Sequence, residues 1–176
     1  MNLPNSITVG RILLAPIFVL VLLSFPEPAA HERWIVVTLF VLASATDGVD
    51  GALARRRNQV TNLGKILDPI ADKVLIGGAL VALSALGQVP WWVTAIILVR
   101  EIGITVFRFA VIRDRVIAAS GGGKFKTIMQ SVAVGFYLSP LAGYWEPFAY
   151  LQLFLLYFAL ALTITSGVQY LMATRK

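Results

Sequence analysis

The chain contains no cysteine and a single histidine, His31. The first absence excludes disulfides. Together the two argue against zinc, whose protein sites are built from Cys and His. Charge is scarce as well. Only 14% of the residues are Asp, Glu, Lys or Arg, against about a quarter in soluble domains. Acids are the rarer sign, nine in 176 residues. Apolar residues fill the gap at 58%, the composition of a polytopic membrane protein. No internal repeat, low-complexity tract or linker divides the chain, which reads as one domain over residues 1–176.

Six apolar runs follow one another, at about Ile7–Phe25, Arg33–Ala54, Ile66–Leu86, Trp91–Ile112, Thr127–Tyr144 and Pro147–Met172. Each is near the roughly 20 residues that a spanning helix needs. The first has no small-x-small cleavage site with a soluble domain behind it, so it reads as a membrane helix and not as a cleaved leader. The expected architecture is all-α, with six transmembrane helices and both termini in the cytoplasm. Orientation comes from the basic residues. Arg11, the group Arg55, Arg56, Arg57 and Lys65, the group Arg108, Arg113, Arg115, Lys124 and Lys126, and the terminal Arg175 and Lys176 fall in alternate connections, the positive-inside pattern. The net charge of +6 therefore reports topology and gives no reason to expect a nucleic-acid partner. Trp34, Trp91, Trp92, Tyr144 and Trp145 then form an outer aromatic belt. Asn5 or Ser6 is expected to cap the first helix. Gly121-Gly122-Gly123 is expected to form a cytoplasmic turn, read either as a plain loop or as an anion-binding approach to a helix start.

Four of the nine acids lie in 26 residues, Asp47, Asp50, Asp68 and Asp72. Spacings of three and four put each pair on one helix face. Carboxylates at the ends of membrane-length helices are costly, which makes the cluster a functional candidate. They would repel one another in a low dielectric unless a cation lay between them. Oxygen-only donors select hard divalent ions, Mg²⁺, Mn²⁺ or Ca²⁺. Four carboxylates can hold two such ions, a recurrent device for phosphoryl transfer. Gly48 and Gly51 leave room for a close helix or a ligand. Arg55 can pair with phosphate or serve only as a topology anchor.

The run Asp47-x₂-Asp50-Gly51-x₂-Ala54-Arg55-x₈-Gly64-x₃-Asp68-x₃-Asp72 resembles the signature of the CDP-alcohol phosphotransferases at all eight of its specified positions. The resemblance implies Asp47, Asp50, Asp68 and Asp72 as ligands to two divalent ions, Mg²⁺ or Mn²⁺, with Asp72 also the general base. It implies Gly51, Ala54, Arg55 and Gly64 as the lining of a cytidine diphosphate site, and a homodimer as the assembly. The start Asn2-Leu3-Pro4-Asn5-x₂-Thr8-x₂-Arg11, the Arg100-Glu101 pair with Arg108, and Gly-x-Lys124-x-Lys126-Thr127 look like the bacterial members that carry a phosphatidyl group from CDP-diacylglycerol to sn-glycerol 3-phosphate. On that resemblance Asn5, Thr8 and Arg11 join the donor site. Arg108, Lys124, Lys126 and Thr127 would bind the acceptor phosphate, and the protein would sit in a bacterial cytoplasmic (inner) membrane with its site facing the cytoplasm. Lys124, Lys126 and Arg108 carry more positive charge than a neutral alcohol requires, although topology alone also accounts for them. Arg100 and Glu101 read as a structural pair, and Lys73 as a residue that snorkels or meets a carboxylate. Members of the family that use other acceptors (cardiolipin, phosphatidylinositol phosphate or phosphatidylserine synthases) stay open. So does a divalent-cation transporter, though the acids lie towards helix ends and not at the midplane. A plain membrane anchor would have no need of four buried acids.

Overall fold

A computed structural model describes the backbone of residues 3–25, 29–56, 62–111 and 121–174, and the side chains of 8–25, 29–46, 67, 69–107 and 125–172. Among these residues all regular secondary structure is helix: α1 Leu3–Ser24, α2 Ala30–Arg56, α3 Asn62–Ala85, α4 Trp91–Val111, α5 Gly121–Leu138, α6 Leu141–Tyr144 and α7 Pro147–Thr174. Helix neighbours run in a ring, α1, α3, α4, α7, α5, α2 and back to α1; α3 also touches α2 and α5 across the middle. The central helix is therefore the one that carries Asp68 and Asp72.

The close seams of α3 rest on two glycines. A Cβ on Gly78 would stand 2.9 Å from Val19 of α1, and one on Gly77 would stand 2.9 Å from Leu98 of α4. Either would collide, so small residues set the helix separation here. Phe18 of α1 and Phe40 of α2 pack alongside, ring centroids 5.7 Å apart, over a core of Leu75, Ala79, Leu80 and Leu83 from α3. Gly87, at φ 71, ends α3. Its N–H donates to the Ser84 carbonyl at 3.0 Å and that of Gln88 donates to Leu83 at 2.9 Å, the paired bonds of a left-handed glycine cap.

Three local expectations are corrected. Helix α1 already includes Asn5 and Ser6, so neither caps it; Pro4 has no N–H to lose in a first turn and lets the helix start earlier. Gly121-Gly122-Gly123 forms the first turn of α5, where the amides lack intrahelical acceptors in any sequence. The fifth apolar run is broken at Ser139-Pro140 into α5 and the short α6. Pro140 cannot donate to the Phe136 carbonyl four residues back. That oxygen accepts instead from Ser139 Oγ at 2.7 Å and from Gln152 Nε2 of α7 at 2.7 Å.

The exterior is apolar. Leu13, Ile17 and Leu20 on α1, Val99, Ile102 and Val106 on α4, and Phe154 and Phe158 on α7 are exposed. Soluble monomers rarely carry contiguous apolar patches beyond a few hundred Å². Among the described residues one helix, Pro147–Met172, is long and apolar enough to cross a membrane by length and composition; Thr8–Ser24 is apolar and shorter. The five belt aromatics are all exposed, on the ends of α2, α4 and α6 remote from Asp72.

Candidate active site

The chain direction alternates from α1 to α5, and this brings the start of α1, the end of α2, the start of α3, the end of α4 and the start of α5 to one end of the bundle. Polar side chains gather there. Thr8 and Arg11 of α1 are buried, 2% and 3% exposed, and Lys126 is buried at 4%. At the opposite end the polar side-chain contacts between helices, among the described residues, are neutral: Ser84 and Thr94 hydroxyls 2.7 Å apart, and Gln152 on Phe136.

Asp72 stands between two cavities. The larger, about 630 Å³, lies among α1, α2, α3 and α5. At one end it touches Arg11, Asp72 and Thr127; at the other it reaches Trp34, Ser139 and Leu141. Its walls between them are largely apolar, among them Val37, Phe40, Leu75 and Val132. Thr127 to Ser139 along α5 is roughly 18 Å at the helical rise, about the depth of one leaflet's hydrocarbon. The smaller cavity, about 320 Å³, lies between α3 and α4, and Asp72, Lys73, Glu101, Thr105 and Gln130 supply its polar edge.

Glu101, the one acid of α4, ties the helices together beside this second cavity. Its Oε1 accepts from Arg100 Nη1 at 2.9 Å and from Lys126 Nζ of α5. Its Oε2 faces Lys73 Nζ of α3 at 3.8 Å. Arg100 Nη2 donates to Ser166 Oγ of α7 at 2.9 Å, and the guanidinium stem lies over Gly167, where a Cβ would meet Nε at 3.1 Å. One layer below the ions, Gln130 Nε2 donates to Thr163 Oγ1 at 2.8 Å, and Thr163 Oγ1 donates to the Ala159 carbonyl at 2.6 Å.

Asp72, Arg11 and Thr127 therefore border one cavity, and Thr8 is buried one turn before Arg11. Lys126, expected at an acceptor phosphate, is held by Glu101. Asn5, Asp47, Asp50, Gly51, Ala54, Arg55, Gly64, Asp68, Arg108 and Lys124 belong to helices α1 to α5; their side chains lie outside the described residues. The pairing of Arg100 with Glu101 and of Lys73 with a carboxylate is as expected. The sequence reading did not join them into one cluster with Lys126, Ser166 and Gly167. The available signal was a lone acid in an apolar helix, which a membrane-length segment tolerates only with partners.

The CDP-alcohol phosphatidyltransferase family profile matches residues 1–165. A probable phosphatidylglycerophosphate synthase of Mycobacterium tuberculosis is 45% identical over 169 residues, 96% of this chain and 79% of the relative. The CDP-diacylglycerol–glycerol-3-phosphate 3-phosphatidyltransferase of Bacillus subtilis is 39% identical over 96% of this chain and 93% of its own. That of Escherichia coli is 39% identical over 99% and 95%. With the family profile covering nearly its whole length, and relatives 39–45% identical over 96–99% of it, this chain belongs to the CDP-alcohol phosphatidyltransferase family.

Proposed function

We propose that this chain transfers the phosphatidyl group of CDP-diacylglycerol to sn-glycerol 3-phosphate, releasing CMP and leaving phosphatidylglycerophosphate. The observation that carries the reading is the position of Asp72, on the wall of an apolar cleft of about 630 Å³ and of a second cavity edged by Lys73 and Glu101. A donor with acyl chains and a small anionic acceptor need such a junction. The cleft suits hydrocarbon along α5, with Arg11 at the end where a diphosphate would begin.

The chain reads as six membrane crossings with both termini cytoplasmic, in a bacterial inner membrane, and as a homodimer. The basic connections and the exposed aromatics at the opposite end support the orientation. The apolar exterior supports the embedding.

The donor set fits hard divalent ions. Asp47 and Asp50 end α2, Asp68 and Asp72 begin α3, the two helices pack together, and all four groups offer oxygen. Bound there, two Mg²⁺ or Mn²⁺ ions would neutralise charge on the donor diphosphate. The protein's own groups do the rest. Asp72 takes the proton from the acceptor hydroxyl as its oxygen bonds to the lipid-side phosphorus. The bond from that phosphorus to the CMP oxygen breaks, and CMP leaves with the electron pair. Arg55 and Gly51 would hold the nucleotide end, with Ala54, Gly64, Asn5 and Thr8 around it. Arg108, Lys124, Lys126 and Thr127 would receive the acceptor phosphate.

The test is CMP release from CDP-diacylglycerol by the purified protein in detergent, with Mg²⁺ or Mn²⁺ and glycerol, sn-glycerol 3-phosphate, inositol phosphate or serine as acceptor. Release with sn-glycerol 3-phosphate, abolished by EDTA and restored by the metal, is the expected result. Release with another acceptor alone would overturn the acceptor assignment. No release with any of them would overturn the enzyme reading.

A further inference from the structure

Three cations share one carboxylate beside Asp72. Lys73, Arg100 and Lys126 all converge on Glu101, and their side chains are 24%, 17% and 5% exposed. These four groups carry +2 by themselves, three positive against one negative, and Asp72 on the same cavity lowers the local excess to +1. Such an excess in a water-poor bundle is unfavourable unless an anion offsets it. A phosphate monoester brings about −1.5 to −2. Lys73 and Glu101 border the smaller cavity with Asp72. Lys126 directly precedes Thr127, which borders the larger one with Asp72.

We propose that Glu101 is a positioning residue for the phosphate-bearing acceptor: it holds Lys126 of α5 and Lys73 of α3 in place around the cavity edge. This rests on the acceptor reading above. Three helices and a fourth meet through it. Its two oxygens reach α3 and α5, and its neighbour Arg100 is moored to Ser166 of α7. Without the carboxylate the buried Lys126 ammonium faces the two like charges of Lys73 and Arg100 and has lost the group that holds it. It would swing out or lose its proton, and either removes a cation from the acceptor site. Glu101 itself touches no reacting atom in this scheme; it acts through the lysines.

The measurement is the Michaelis constant for each substrate in Glu101→Gln, which keeps the shape and removes the charge. The expected result is a rise of tenfold or more for sn-glycerol 3-phosphate and less than twofold for CDP-diacylglycerol, with partial recovery in Glu101→Asp. Ser166→Ala, a milder loosening of Arg100, should move the acceptor constant the same way by about threefold. It also serves if the Gln variant fails to fold. Equal shifts for both substrates would mark Glu101 as a mere clamp and overturn the inference. So would a fall in the acceptor constant, which would mean that Glu101 competes with the phosphate for Lys126. A wild-type enzyme inert towards this substrate pair would overturn the functional reading and this inference with it; wild-type turnover with equal shifts overturns the inference alone.

Discussion

Gly167 offers a substitution whose sign is decided by how tightly Arg100 is held. A methyl group at Gly167 would stand 3.1 Å from Arg100 Nε and 3.2 Å from its Cγ. Comfortable contacts lie near 3.5 Å or beyond, so the side chain must retreat by about 0.3–0.5 Å. A free arginine would do so at little cost, and Gly167→Ala would then stabilise α7 by about 1 kcal/mol through helix propensity. Arg100 is not free. Both of its terminal nitrogens are fixed by 2.9 Å bonds, Nη1 to Glu101 and Nη2 to Ser166. A retreat of that size takes one of them towards 3.4 Å, and a hydrogen bond to a charged group contributes about 1.5–3 kcal/mol. The balance is a net loss of roughly 0.5–2 kcal/mol. For a chain of this size that lowers Tm by roughly 1–8 °C. Gly167→Val gains less propensity and adds more bulk, so it should lose more. Tryptophan fluorescence of the detergent-solubilised protein on heating reads the change directly. A Tm that rises by about 2–4 °C in Gly167→Ala would refute the reasoning, because it would show Arg100 yielding without cost.

Three further outcomes are expected. Asp72→Asn should keep donor binding, measured by competition with labelled CDP-diacylglycerol, while turnover falls by about 10²–10⁴-fold; unchanged turnover would remove Asp72 as the base. Lys126→Ala should weaken sn-glycerol 3-phosphate more than CDP-diacylglycerol in steady-state kinetics, and equal weakening would take Lys126 out of the acceptor site. Thr163→Val strands the Gln130 amide, 4% exposed, and should cost about 1–3 kcal/mol in thermal unfolding. A silent substitution there would mean that Gln130 has another acceptor within reach.

The helical class and five of the six apolar runs were legible because a membrane-length run of apolar residues leaves the backbone few alternatives to a helix. The four aspartates stand out in the sequence for a related reason, that acids are so rare here; of the four, only the Asp72 side chain is among the described residues. What stayed hidden depends on contacts between helices. Nothing along the sequence says that Glu101 faces Lys126, 25 positions on, or that Gly167 is small because Arg100 crosses it. Those facts need the rotation of α4 against α5 and α7, which periodicity in an all-round apolar helix does not fix. The break at Ser139-Pro140 was within reach, since a proline inside an apolar run ends or kinks its helix. The apolar run continues beyond it to Tyr144, which masks the break.

The chemistry of the polar contacts changes along the bundle axis, and that bears on how variants of Glu101 should be read. At the aromatic end the described contacts between helices are a hydroxyl pair and an amide-to-carbonyl bond. At mid-depth they are still neutral, Gln130 on Thr163. Among the described residues the ion pairs lie at the Asp72 end. The tight seams lie apart from that end: Phe18 against Phe40, Gly78 against Val19, and the Leu80–Leu83 stretch of α3. Neutral hydrogen bonds and packing are therefore enough to align the helices over most of their length. Replacing a buried ion cluster by neutral groups is often no loss to a fold, so stability alone does not explain why three cations and an acid are kept in one spot. An ionic layer confined to the end where Asp72 stands is what a site for a charged substrate requires. A Gln at position 101 removes only the acid and leaves three cations together, a change that costs about 3–5 kcal/mol in buried pairs, so its acceptor constant is read beside its Tm and beside the milder Ser166→Ala.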